Sequence, residues 1–541
     1  MSFYNQSNLF RRKDDITGKE IFSEFPPEAP NKVYEKDYWW SDAWDAMEYG
    51  KEYDFSRPFF EQFRELMLAV PWPSRNVSNI INSDYSNQAG DLKNCYLCFN
   101  ISASEDSAYV IDAAYQKNCY DVTTSMYDEL SYDSMAIRNC YQMAFSYFCE
   151  KCRDVWFSRD CAGCSNCFGC VNLRNKQYHI FNKPYTKEAY EEEIKRFDLG
   201  SWSALSRIKK EVEKFLLRSP RKFMTSWRNA NVSGDMIAYS KNLRHCYNVV
   251  EVEDSAYCQD IVLGVKDSYD FTIWGEKCEL MYEVSGSGRN CRNLKFTVDC
   301  WPADRDVEYS VRSASSSNLF GCVGLRSKSY CILNKQYSED EYFALRDKIV
   351  KHMNDAPYIN AQGRTYRYGE FFPPSFSLHA YNSTLAHDFF PLSKDEAVKK
   401  GYLWRDPEMR EYQTTLDAKD LPDHIRDVSD SILKEVVKCG SCLKAYRIIP
   451  TELEFYRKRS LPLPRLCVNC RFRERVKHRN PPRFYKRKCQ CAGAKSDNGV
   501  YVNQTTHFHN AGHCPNEFET SYLPDRPEIV YCEQCYQAEV V

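Results

Sequence analysis

From residue 95 to 178 a small residue followed by an aromatic recurs: Cys95-Tyr96, Ala108-Tyr109, Cys119-Tyr120, Ser131-Tyr132, Cys140-Tyr141, Val155-Trp156 and Cys167-Phe168, the aromatics 9 to 15 residues apart. Phrases such as KNCYDVTT and RNCYQMAF alternate side-chain character over lengths that suit strands rather than helices. Every second aromatic (Tyr96, Tyr120, Tyr141, Phe168, or Tyr109, Tyr132, Trp156, Tyr178) falls 21 to 27 residues from the last, a coil length suited to a β-solenoid. In a stacked coil Asn, Ser and Cys repeat as corner ladders. Tyr, Val, Ile and Met at positions +1 and +3 of each phrase share one face, which we assign inward. A β-sandwich of evenly spaced short strands is the competing architecture.

Helical spacing replaces this pattern at TKEAYEEEIKRF (186–197) and SEDEYFALRDKIV (338–350). Thr186 and Ser338 suit N-caps, and Ser338 with Glu341 has capping-box spacing. Trp202, Leu205, Ile208, Val212 and Phe215 mark a further amphipathic segment. Such helices either cover the exposed end of a solenoid or simply connect its parts.

The two helical phrases occupy matching places because the chain is duplicated. NCFGCVNLRNKQYHIFNKPY at 166–185 returns without a gap as NLFGCVGLRSKSYCILNKQY at 318–337, thirteen of twenty positions identical. A shift of about 152 residues also sets Asn94-Cys95-Tyr96 near His245-Cys246-Tyr247. In the second copy Ala256-Tyr257 and Ser268-Tyr269 are clear, whereas Cys278 to Tyr309 is blurred. A repeat of this length takes precedence over single-residue arguments. The expected architecture is mainly β: two tandem β-solenoid modules (81–185 and 231–337) with a helical connector (186–230), a helical cap and linker (338–430), and small zinc-ribbon domains at 431–541.

Composition adds bounds. A chain of 541 residues with 43% apolar content holds several cores, and a formal charge of −2 gives no global preference for nucleic acid or membrane. MSFYNQSNLFRRKDD lacks the apolar run of a secretion signal, and no segment has the length of a membrane span. A cytoplasmic protein is expected, in which 26 cysteines serve as metal ligands or reduced thiols rather than disulfides.

The clearest ligand spacing is Cys439-Gly-Ser-Cys442 followed by Cys467-Val-Asn-Cys470. Two such knuckles bring together four thiolates, a donor set that suits structural, tetrahedral zinc and leaves no open position for catalysis. A second zinc is expected at Cys532-Glu-Gln-Cys535. Its partners come from Cys489, Cys491, His507, His509, His513 and Cys514; we take Cys491 and Cys514, with Cys489 or a histidine as substitutes for Cys491. Residues 10–39 parallel 484–536, with Asp14 at the place of Cys489 and Glu35 and Tyr38 at those of Cys532 and Cys535. Region 1–80 therefore reads as containing a ribbon that has lost its metal.

DFSRPFFEQF (54–63), the NLRNKQY-type repeat, GYLWRD (401–406) and the tail RPEIVYCEQCY together make the chain resemble a family of predicted zinc-ribbon repeat proteins from ultra-small candidate-phyla bacteria. The likeness covers nearly the whole chain. Longer members carry a metal-binding ribbon ahead of the first repeat, where this chain has Asp14 at a cysteine position. The resemblance implies architecture alone.

Cys149, Cys152, Cys161, Cys164, Cys167 and Cys170 form another candidate cluster, but copy two has Trp301, Asp304, Ser313 and Ser316 at the first four places. Metal binding and packing as small apolar fillers both stay open. Charge is concentrated within 457–488, where Arg471, Arg473, Arg475, Lys477, Arg479, Arg483, Lys486 and Arg487 face one acidic residue, Glu474, with Phe472, Phe484 and Tyr485 interleaved. Such a segment either follows phosphates and stacks on bases or is a solvated or internally paired face. No GxSxG, phosphate-binding glycine loop or HExxH occurs, and His179 and His245 read as structural. The expectation is a non-enzymatic, two-zinc scaffold that binds RNA or DNA through its basic tail. A protein-interaction scaffold using the solenoid flanks is the alternative, and a β-helix carbohydrate enzyme ranks last.

Overall fold

The computed structural model describes residues 1–5, 7–273, 275, 285–287, 295–296, 298–300, 304–406 and 413–540. The chain is mainly β and contains a β-solenoid. It divides into two compact units, one of residues 1–77 and 225–407, the other of 78–224 and 408–541.

In the unit containing the first copy, strands Asn87–Lys93, Phe99–Glu105, Ile111–Lys117, Tyr120–Glu129 and Tyr132–Met135 pair in parallel, each with the next. Single-residue bridges continue the ladder to Arg153–Trp156, Ser165–Phe168 and Gln177–Ile180. The repeat distance is 12 residues, seen where Asn94 Nδ2 donates to Asp106 and Ser134 Oγ accepts from Ser146 N–H. This corrects the 21–27 residue coil: each aromatic phrase is one coil, not half of one. Every third residue from Leu130 to Asp160 (Leu130, Asp133, Ala136, Asn139 and onward) has φ between +42° and +58°, a left-handed corner that ordinarily favours Gly, Asn or Asp. Sides of three residues with a corner on each give the coil four sides.

The period of three decides what faces inward. Cys140, Met143, Ser146, Cys149, Cys152, Val155 and Ser158 are all buried in the lumen. The phrase's first residue and its +3 residue point in, the +3 residue as expected, but the +1 aromatic points out, which corrects its inward assignment and the corner placement of the phrase's cysteines. Inner serines satisfy backbone in the next coil: Ser134, Ser146 and Ser158 hydroxyls accept from Ser146, Ser158 and Cys170 N–H at 3.0–3.2 Å. The outward Tyr120, Tyr132, Phe157 and Phe168 are instead buried beneath Leu205, Ile208 and Val212 of helix Trp202–Leu216 and beneath Leu453, Phe455 and Tyr456. That helix opens on Ser201, whose hydroxyl accepts from Ala204 N–H, and helix Lys187–Lys195 opens on Thr186 in the same way. Trp202 of the amphipathic set lies at the surface, 39% exposed.

The last coil is closed by an asparagine. Asn182 accepts from Val171 N–H and donates to Val171 carbonyl, both at 2.9 Å, imitating the strand that does not follow.

The other unit repeats these devices. Strands Ala230–Ala238, Lys241–Ala256 and Gln259–Lys266 pair in parallel, as do Arg305–Glu308, Ser317–Phe320 and Ser329–Ile332. Asn334 closes the coil through both backbone groups of Val323, as Asn182 does through Val171. Most of the blurred stretch from Cys278 to Tyr309 lies outside the described residues. Ser338 and Glu341 form the expected capping box of helix Glu339–Asp355. Helix Phe59–Ala69 lays Phe59 against Tyr309 and Phe320, ring centroids 5.4 and 5.2 Å apart. Gly321 stands beneath it with φ +64°, and a Cβ there would meet the Phe59 ring at 2.7 Å, so the repeated Phe-Gly-Cys serves both the corner and the close approach.

Candidate metal centres

Strands Val437–Lys438 and Ala445–Tyr446 form a hairpin whose turn holds Cys439 and Cys442, while Cys467 is the N-cap of helix Val468–Val476 and Cys470 lies in its first turn. All four sulfurs lie within 4.8 Å of one another. Sulfurs at about 2.3 Å from a tetrahedral ion are about 3.8 Å apart; Cys442 and Cys467 are separated by 3.6 Å. Cys467 N–H donates to Cys439 Sγ at 3.2 Å. Burial pushes the Cys439 thiol up, but N–H groups of Cys467, Ser441 and Cys442 bring it down to about 6, favouring the thiolate that a metal needs.

The second group lies in the C-terminal ribbon, where Tyr485–Lys488 pairs antiparallel with Glu517–Thr520. It consists of Cys489, Cys514, Cys532 and Cys535, all buried. Cys514 and Cys532 sulfurs are 3.8 Å apart, and Cys532 N–H donates to Cys489 Sγ at 3.2 Å. Cys489 therefore occupies the place assigned to Cys491. Cys491 faces a third group with His507, His509 and Cys535, so three groups able to hold an ion replace the two expected. The two histidines were legible only as surplus ligands; the signal that selects them is the partner of each second ring nitrogen, Glu539 for His507 and the Gly512 carbonyl for His509. His513 belongs to none of the three groups.

The N-terminal hairpin repeats the ribbon's hydrogen bonds. Phe10–Lys13 pairs antiparallel with Glu20–Ser23, and Glu35 N–H donates to Asp14 Oδ1 at 3.1 Å, where Cys532 N–H donates to Cys489 Sγ. Val33–Tyr34 pairs in parallel with Trp72–Pro73 as Val530–Tyr531 does with Arg221–Lys222. Asp14 also accepts from Thr17 N–H at 2.8 Å. A carboxylate taking two N–H donors supplies the turn's acceptor without an ion.

The basic segment proves divided. Arg471 ion-pairs with Asp121 at 3.2 Å and Glu452 at 3.0 Å, and Arg475 with Asp121 at 3.0 Å and Asp133 at 3.5 Å. Arg475 is 1% exposed. Asp121 and Asp133 are corner residues of successive coils, so the helix that begins at the first metal group is clamped to the solenoid. Burial makes Asp121 harder to ionise, and Arg471 and Arg475 oppose that effect. This removes Arg471 and Arg475 from a phosphate-binding face. Arg487 is half-buried and donates to Leu523 carbonyl and Gln490, and Arg479 is half-buried. Arg473, Lys477, Arg483 and Lys486 are exposed, Lys477 paired with Glu474.

The six coil cysteines belong to none of the metal-competent groups among the described residues. They are lumen residues whose thiols donate to carbonyls two residues back, as Cys149 to Tyr147 and Cys161 to Arg159 at 3.4 Å. In copy two Asp304 accepts from Ser313 Oγ and Ser316 N–H at 2.8 Å, filling the same volume without sulfur; Trp301 lies outside the described residues. His179 Nδ1 faces Gln177 carbonyl, and His245 stacks on Tyr257 at 5.3 Å. Among the described residues no helix is long and apolar enough to cross a membrane. A scan of protein-family models finds no match, and neither does a search of curated proteins.

Proposed function

We propose that this chain is a non-catalytic cytoplasmic scaffold stabilised by structural zinc. The observation that carries this reading is closure. Each metal-competent group supplies four protein donors, which leaves a tetrahedral ion no position for water or substrate. Sulfur and imidazole donors without redox function suit zinc, and reduced thiols suit the cytosol.

The partner we propose is nucleic acid, reached through Arg473, Lys477, Arg483 and Lys486, the four of the eight candidate cations that are exposed. Filter binding of the full chain to RNA and DNA across a salt series tests this. Affinity should fall steeply with salt, and replacing the four by Gln should flatten that dependence. Binding too weak to detect at low salt would refute it. Stacked Tyr115 and Tyr127, each 46% exposed with ring centroids 4.5 Å apart, favour a protein partner as the second reading. Partner capture that survives nuclease and is lost on replacing both rings by Ser would select it.

A further inference from the structure

Cys535 belongs to two groups of four: its sulfur lies within 4.8 Å of Cys489, Cys514 and Cys532, and also within 4.8 Å of Cys491, His507 and His509. We infer that the C-terminal ribbon is a binuclear centre in which Cys535 bridges two divalent ions, the second being held by the insertion between Cys491 and Cys514. The inference takes the second group as metal-binding and is independent of any nucleic-acid partner.

Spacing supports a second ion. For metal–sulfur bonds of about 2.3 Å and metal–nitrogen bonds of about 2.0–2.1 Å, a tetrahedral sulfur–nitrogen edge is about 3.5 Å. Cys491 Sγ lies 3.1 Å from His507 Nδ1, and Cys535 Sγ lies 3.3 Å from His509 Nε2. The ring nitrogens pointing away are also fixed. His507 Nε2 meets Glu539 Oε1 at 2.8 Å, with both side chains fully buried, and His509 Nδ1 meets Gly512 carbonyl at 2.8 Å. An outer partner on the far nitrogen is how a ligating histidine is held in its tautomer. Here it leaves Nδ1 of His507 and Nε2 of His509 for the metal, and each of these is the nitrogen that faces a thiolate. Glu539 further accepts from Gln504 and Thr505 N–H, tying the insertion to the final helix. Asn503 Nδ2 donates to Cys491 Sγ at 3.1 Å and is itself positioned by Tyr531 OH.

Charge points the same way. Five thiolates around two divalent ions carry a formal −1, against −2 for four thiolates around one, so the second ion lets Cys491 ionise in the interior at no added net charge. Cys491, His507 and Glu539 in line would also suit a thiol nucleophile, but Cys491 is 0% exposed, which denies it a substrate.

Native mass spectrometry of the zinc-loaded full chain should give three ions. H507A/H509A should give two. With Co(II) in place of zinc, coupling through the bridging sulfur should silence the pair in electron paramagnetic resonance, so the integrated signal should correspond to the Cys439 ion alone. Two zinc ions in the unaltered chain, or three magnetically isolated Co(II) ions, would overturn the proposal. Neither readout depends on the variant folding. Rapid alkylation of Cys491 in the zinc-loaded chain would also count against it.

Discussion

Asp128 sits in the solenoid lumen, in a column that continues through Cys140, Cys152 and Cys164. Its Oδ1 accepts from Cys140 N–H at 2.9 Å and its Oδ2 is 3.3 Å from Gln116 Nε2. Burial raises its carboxyl from 3.8 to about 7, against the opposing N–H of Cys140, the Gln116 amide and Arg138. Because the folded value lies above the unfolded one, the native chain holds the proton longer. The stabilising effect is complete below the unfolded value and is lost as pH rises through the folded one. That difference corresponds to about 4 kcal/mol. Asp128→Asn cannot titrate, and its amide oxygen can still accept from Cys140 N–H. The variant should therefore gain on the parent by about 1.5–2 kcal/mol at pH 5 and by about 4 kcal/mol at pH 8. Hydrogen exchange under graded urea, read on peptides spanning 111–140, measures opening of these coils rather than of the whole two-unit chain. The decisive quantity is the widening of the gap, about 2.5 kcal/mol between those pH values. A gap that is constant with pH, or that narrows as pH rises, would refute the reasoning.

Three further outcomes are expected. Arg475→Met removes one of two cations from Asp121 and from Asp133, which keep Arg471 and Lys209, and should cost about 1–3 kcal/mol in the local stability of 111–140, whereas exposed Arg473→Met should change it by less than about 0.5 kcal/mol; equal effects would deny the clamp. Asn334→Ala removes both bonds to Val323 and should cost about 1–3 kcal/mol, seen as faster exchange in 317–334 but not in 165–182. Treating the chain with a zinc chelator should expose 437–476 and 485–540 to protease while the Asp14 hairpin at 10–40 stays resistant; cleavage of all three at one rate would contradict the carboxylate's role.

The repeat, its β character, the closing helices and the Cys439 centre were legible because each is written locally, in a gapless duplication, caps or paired knuckles. The coil length was not. Inward residues are Cys, Ser and Met at every third position, so no strong polar contrast marks the lumen. The conspicuous aromatics are outer residues, buried by helices outside the repeat, one of them more than 300 residues away in sequence from Tyr120, on which its Phe455 stacks at 4.3 Å. Spacing also left Cys489 and Cys491 equivalent, and only the N–H of Cys532 and the fold of the insertion assign them to different groups. Likewise Arg471 and Arg475 carry the same charge as Arg473, but the helix turns the former two onto Asp121 and the latter to water. By itself the sequence determined that the chain is duplicated, mainly β and ends in cysteine knuckles, since duplication and ligand spacing survive in one dimension, whereas it favoured a β-solenoid over a β-sandwich without deciding between them. Tertiary structure decided which side of each coil is the interior, which thiolates meet and which cations stay free of carboxylates, because burial and pairing depend on neighbours distant in sequence.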